Sequence, residues 1–133
     1  MDPDHVSELF AGFGPVSVRR MFGGFGIYAG SRMFGLAYDG LIYLKADAAT
    51  VPAFEGEGQG PFTYQAKGGK RVLTSYWRLP ERLYDDPEEL ARWARDAVAA
   101  AQRSAGALRE GRRRPARRPA SPPRAKPRGR SRR

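Results

Sequence analysis

Val6, Leu9, Phe10 and Phe13 recur at i, i+3, i+4 and i+7, so the chain opens with a helix that turns one apolar face inward. Asp2 stands where an N-cap belongs and Pro3 at the first helical position, while Gly12 and Gly14-Pro15 end the segment. From Val16 the pattern changes to short β-type runs, Gly24 to Ala29, Arg32 to Tyr38 and Leu41 to Lys45, broken at Gly30-Ser31 and Asp39-Gly40. Asp-Gly favours a type I′ turn, in which both central residues take positive φ, and the three runs read as an antiparallel meander. A short helix is expected after Asp47 or Thr50, with Val51 and Phe54 facing inward and Pro52 limiting its length. Gly56, Gly58 and Gly60 then lead into a second hairpin, Phe62 to Lys67 and Lys70 to Trp77, turned at Gly68-Gly69.

The last apolar stripe is the most regular. Leu90, Trp93, Ala94, Ala97, Val98 and Ala101 fall at i, i+3, i+4, i+7, i+8 and i+11 behind Asp86 as cap, Pro87 at N1 and Glu89 at N3 of a capping box. With Glu88, Glu89 also complements the positive end of the helix dipole. The expected fold is α+β and two-layered: an antiparallel sheet of five to six strands, meander plus hairpin, covered on one face by N-terminal, short middle and C-terminal helices.

Charge changes this picture beyond the last stripe. The formal net charge of +10 is concentrated at one end: residues 1–105 carry twelve Lys+Arg against thirteen Asp+Glu, and residues 106–133 carry twelve Lys+Arg against Glu110 alone. The first part is therefore net −1 and the second net +11. Past Ala107 only Leu108 is large and apolar, and prolines stand at 115, 119, 122, 123 and 127. Such a segment buries too little to offset the ordering of its backbone, so residues 106–133 are expected to form a disordered Arg/Pro-rich tail on a domain of residues 1–105. Arg112, Arg113, Arg114, Arg117, Arg118, Arg124, Lys126, Arg128, Arg130, Arg132 and Arg133 are its candidate nucleic-acid-binding residues, because a flexible polycation gains entropy by releasing counterions from phosphates. It would hold nucleic acid without reading bases.

Candidate chemistry is sparse. With no cysteine and one histidine, neither thiolate catalysis, sulfur-ligated zinc nor a His cluster can be built, and the chain is expected to have no catalytic residues, no metal and no cofactor. Gly24-Phe25-Gly26-Ile27-Tyr28-Ala29 matches G-x-G-x-x-A in letters, but β-type residues follow where a dinucleotide fingerprint needs a helix. Gly68-Gly69-Lys70 is explained by a hairpin turn, and His5 by a surface position in the first helical turn. The strand aromatics, from Phe22 to Trp77, are expected to be mainly core, with a base-stacking platform as the competing reading. Tyr43, Lys45 and Tyr76 form the candidate recognition surface, since Lys45 ends a strand near polar-tipped aromatics. No apolar run is long enough to span a bilayer; no membrane role and a cytoplasmic location are expected.

Four segments in order, Arg20-Met21-Phe22-Gly23-Gly24-Phe25-Gly26-Ile27-Tyr28, Leu41-Ile42-Tyr43-Leu44-Lys45-Ala46-Asp47, Pro61-Phe62-Thr63-Tyr64 and Ser75-Tyr76-Trp77-Arg78-Leu79-Pro80, resemble the TfoX N-terminal domain family over roughly residues 3–103. Trp77 stands where the family more often has Tyr or Phe. The resemblance implies the layout above and a bacterial regulatory domain of the kind linked to DNA-uptake competence and transcription. That role belongs to two-domain members, and here a basic tail stands in place of their C-terminal domain. The function expected is a transcription-associated accessory protein whose domain binds a protein partner in the transcription machinery while its tail binds nucleic acid non-specifically. The alternative is a chaperone-like homodimeric module with no nucleic-acid role. An enzyme using Lys45 with tyrosines is not expected.

Overall fold

The computed structural model describes residues 2–21 and 23–113. Helix α1 (Pro3–Leu9) starts as the pattern requires, with the Asp2 carboxylate accepting the His5 N–H at 2.9 Å. Strands β1 (Ser17–Met21), β2 (Gly24–Ala29), β3 (Arg32–Tyr38) and β4 (Leu41–Lys45) form the meander, α2 (Val51–Gly56) follows, and β5 (Pro61–Ala66) and β6 (Gly69–Arg78) make the hairpin. A 3-10 turn (Glu81–Asp85) leads into α3 (Pro87–Arg113). The strands build one antiparallel sheet in the order β1-β2-β3-β4-β6-β5. Fold class and layout agree with the sequence reading, and β1 supplies the sixth strand. At the β3–β4 turn Asp39 and Gly40 take φ of 53° and 77°, as a type I′ turn demands. The hairpin turns at Lys67-Gly68, one residue earlier than expected, so that Ala66 pairs with Gly69 and Tyr64 with Arg71.

A β-bulge decides which residues face the helices. Ile27 pairs with Gly35 but Tyr28 pairs with Met33, leaving Phe34 as an extra residue in β3. Phe34 and Gly35 consequently both turn to the helix side. Phe34 is fully buried, edge-on to Phe10 at 5.6 Å and tilted on Phe13 at 5.3 Å. At Gly35 a Cβ would come within 3.1 Å of the Tyr43 carbonyl oxygen, so the strands approach there as only glycine permits. Ile27, Ile42 and Leu44 from the sheet join Val6, Phe54, Leu83 and Leu90 in the core. Five buried alanines along α3, Ala91, Ala94, Ala97, Ala100 and Ala101, leave room for the helix to lie close against that layer.

The large side chain that α3 buries completely is Leu90, at 1% exposure, and not Trp93, which is half-buried on the flank, edge-on to Phe54 at 5.0 Å with its indole N–H donating to Glu89 at 3.2 Å. The capping box is half realised: Asp86 accepts the Glu89 N–H at 3.2 Å, but the Glu89 carboxylate accepts from Arg82 at 2.8 and 2.9 Å instead of reaching back. Arg82 also grips Glu57 at the end of α2, at 2.8 and 3.1 Å, so a single guanidinium joins α2, the 3-10 turn and α3.

The chain divides into units 1–102 and 103–133. Helix α3 is described to Arg113, so the first eight residues of the expected tail continue it. Alanine, leucine, arginine and glutamate around Gly106 and Gly111 favour helix, each glycine costs only about 1 kcal/mol, and the first proline after it is Pro115. Residues 114–133 lie outside the described residues.

Two outcomes follow from this packing. Leu90→Ala is expected to lower stability by about 2 to 5 kcal/mol, read by chemical denaturation. The second concerns acid. Its hydrogen bonds to Arg82 and then Trp93 hold the Glu89 carboxyl down to about 2, against about 4.3 in an unfolded chain. A depressed carboxyl contributes stability above its unfolded pKa and loses it as pH falls toward the folded value. Stability measured from pH 5 to pH 2 should therefore fall, and fall less steeply in Arg82→Gln.

Candidate functional site

Alternation along each strand sends a second set of side chains away from the helices. Beyond the bulge, Leu36 and Tyr38 of β3 point to this open face, and their partners Tyr43 and Leu41 of β4 share it. Tyr43 and Lys45 lie two apart on β4 and stand opposite Arg78 and Tyr76 of β6. On β2, Gly26 faces the same way: a Cβ there would lie 2.9 Å from the Met21 sulfur and 3.0 Å from the Tyr28 ring. The bare glycine leaves space where Met21, Tyr28 and Met33 converge.

The result is a groove of about 490 Å³ whose lining comes entirely from strands. Met21 of edge strand β1 and Tyr64 of edge strand β5 line the same space although they sit at opposite ends of the strand order, so the sheet coils into a trough. Its aromatic wall is ordered by ring contacts. Phe62 receives the edges of Tyr38 at 5.3 Å and Tyr43 at 4.7 Å and stacks on Tyr64 at 5.5 Å with an interplanar angle of 16°. Phe62 is buried and Tyr64 half-exposed, so Tyr64 is the outer ring of the stack.

Cations stand around the trough. The Lys45 ammonium lies 5.1 Å from the Tyr76 ring centre and the Arg19 guanidinium 4.7 Å from that of Tyr28. Arg71, opposite Tyr64, and Arg78, opposite Tyr43, add two more on this face. The six strands together carry seven Lys+Arg and no Asp or Glu, so all thirteen acidic residues of 1–105 lie in helices, turns and loops. Burial, reinforced by nearby Tyr28, pushes the Tyr76 phenol up to about 12. Burial also raises Tyr43, against the opposing pull of Arg78. Both are neutral hydroxyls at physiological pH.

The structure thus brings together the three residues singled out from sequence, Tyr43, Lys45 and Tyr76, on neighbouring strands. It also divides the strand aromatics: Phe34 and Trp77 pack toward the core, Phe25 touches both the core and the trough, Tyr38, Phe62, Tyr64 and Tyr76 line the trough, and Tyr28 and Tyr43 stand beside it on the open face, so the aromatics are not mainly core as expected. Sequence reading weighed Tyr64 only within the competing base-stacking platform and missed Arg19 and Arg71; the available signals were the i, i+2 pair Phe62 and Tyr64 and the absence of acidic residues from every strand. Phe22 lies outside the described residues. Of the basic residues assigned to nucleic acid, Arg112 and Arg113 occupy the last turn of α3, and Arg114, Arg117, Arg118, Arg124, Lys126, Arg128, Arg130, Arg132 and Arg133 lie outside the described residues.

The TfoX N-terminal domain model matches residues 8–101, from α1 through the last buried alanine of α3. The chain belongs to the TfoX N-terminal domain family. Membership carries an association with competence and regulation, and the matched span contains the whole trough. No curated protein matches the chain in sequence. Among the described residues no helix is long and apolar enough to cross a membrane, and no cluster of His, Cys, Asp or Glu could hold a metal ion.

Tyr76 offers a direct check of the trough. In a spectrophotometric titration its phenol should ionise near pH 12, well above a free tyrosine, and Tyr76→Phe should remove one late-titrating group. Because the folded pKa is raised, the stability tied to it is complete below about pH 10 and is lost as pH rises toward 12.

Proposed function

We propose that this TfoX-family protein is a transcription-associated accessory factor that acts by binding and without turnover, its domain engaging a protein partner while the basic C-terminal segment holds it on nucleic acid. The observation that carries this reading is the charge division, net −1 over residues 1–105 and net +11 over residues 106–133. A polycation of this density meets phosphates whatever the base sequence, and arginine does so with several donors at once. The acidic residues, confined to helices and loops, give the domain a second, oppositely charged surface for a protein. Lys45 is engaged over the Tyr76 ring, and no nucleophile with a base beside it is evident in the trough, which supports binding rather than catalysis.

A salt series tests this. If about six to eight basic residues meet phosphates, log affinity for duplex DNA against log salt should fall with a slope of about −5 to −7, with under about tenfold discrimination between sequences. Replacing the eleven basic residues named above between Arg112 and Arg133 by glutamine in the full chain should bring the duplex slope near zero. Duplex binding unchanged by that substitution would remove the role given to the segment.

A further inference from the structure

We propose that the trough on the open sheet face is a second nucleic-acid site, one that takes single-stranded nucleic acid by stacking an unpaired base on Tyr64 and seating phosphates on Arg19, Lys45 and Arg71. The proposal stands on the geometry of the sheet and does not depend on the basic segment. Three observations converge. The trough, at about 490 Å³, is of the size that accepts a small planar group, and its wall is built from aromatic rings. Tyr64 lies parallel to Phe62 beneath it and edge-locked by Tyr43, so its outer face is held ready for another ring without further ordering. No strand carries an acidic residue, although the domain as a whole is net −1, and four of the seven strand cations, Arg19, Lys45, Arg71 and Arg78, lie on the aromatic face.

That combination selects its occupant. An aromatic groove rimmed by cations complements a strand whose bases are free and whose backbone is anionic. A duplex hides its base faces in its own stack and gains only the phosphate part. The chain's own C-terminal segment, net +11, is repelled by the same charge, and a second copy offering this face would meet like sign with like. Gly26 fits the assignment, because any side chain there would collide with the Tyr28 ring and Met21 and close the floor.

The test uses the full chain with its eleven C-terminal basic residues changed to glutamine, so that the other site is silent. Fluorescence anisotropy with a labelled oligothymidylate of about eight nucleotides should show binding at least tenfold tighter than to a duplex of the same length. Tyr64→Ala should weaken the single-strand affinity by about fivefold to fiftyfold. The double change Arg19→Glu and Arg71→Glu, at two exposed positions, should weaken it and flatten its salt dependence. Should Tyr64→Ala fail to fold by circular dichroism, Tyr64→Leu keeps an apolar side chain without a stacking ring and should show the same loss. Equal affinity for single strand and duplex, or wild-type affinity in both the Tyr64 and the double arginine variants, would overturn the proposal. So would tighter binding to phosphatidylglycerol vesicles than to the oligonucleotide, which would assign the trough to anionic lipid. Loss of duplex binding on neutralising the segment is judged separately, against the unmodified chain, so either site can fail alone.

Discussion

The extra residue in β3 is the constraint on which both layers of this protein depend. Without Phe34 as a bulge, strict alternation would send Gly35 and Ala37 outward and drive Leu36 and the Tyr38 hydroxyl into the helix layer. With it, the first half of the strand supplies the ring that Phe10 and Phe13 pack upon, and the second half supplies the floor and wall of the trough. A bulge also strengthens local twist, and the coiling that lets β1 and β5 face each other across the groove follows from it. The core and the site are two readings of one irregularity in one ladder.

Electrostatics divides the molecule along the same plane. Taken as a sum, the domain is almost neutral, and the sum hides a basic sheet beneath acidic helices and loops. Where opposite charges do meet they are structural: Arg82 spends its guanidinium on Glu57 and Glu89, drawing α2, the 3-10 turn and α3 together at one point. On the trough side Arg19 and Lys45 rest on tyrosine rings, so their charge is positioned but not cancelled. Tyr84 adds a polar tie of a different kind, its hydroxyl accepting the Ile42 N–H at 2.8 Å where β4 outruns its pairing with β6.

Most of the architecture is legible in the sequence because its determinants are local. The α1 stripe, the Asp39-Gly40 turn and the Ala-rich face of α3 each act within one or two turns of chain, and each appears where the pattern puts it. The bulge is not local. Phe34-Gly35-Leu36 reads as an uninterrupted strand, and only the pairing of Ile27 with Gly35 and Tyr28 with Met33 reveals which residue is extra. That one displacement decides the facing of Leu36 and Tyr38, so the trough was only glimpsed, through Tyr43, Lys45 and Tyr76. Trp93 misled for a related reason: periodicity ranks it with Leu90, but a long indole at the flank of a stripe reaches Phe54 and Glu89 without entering the centre. The helix beyond Gly106 is obscured by composition, since arginine-rich sequence reads as unfolded until alanine and leucine propensity is weighed against two glycines, Gly106 and Gly111.

The free margins of the sheet have a consequence for solubility. An unpaired strand invites the same strand of another molecule to dock and extend the ladder, which is how β proteins begin to aggregate. Here β1 is only five residues long and bears Arg19 and Arg20, β5 begins with Pro61, which has no N–H to offer, and the stretch of β6 that outruns β4 bears Lys70 and Arg71. Each margin therefore repels or fails to bond its own image.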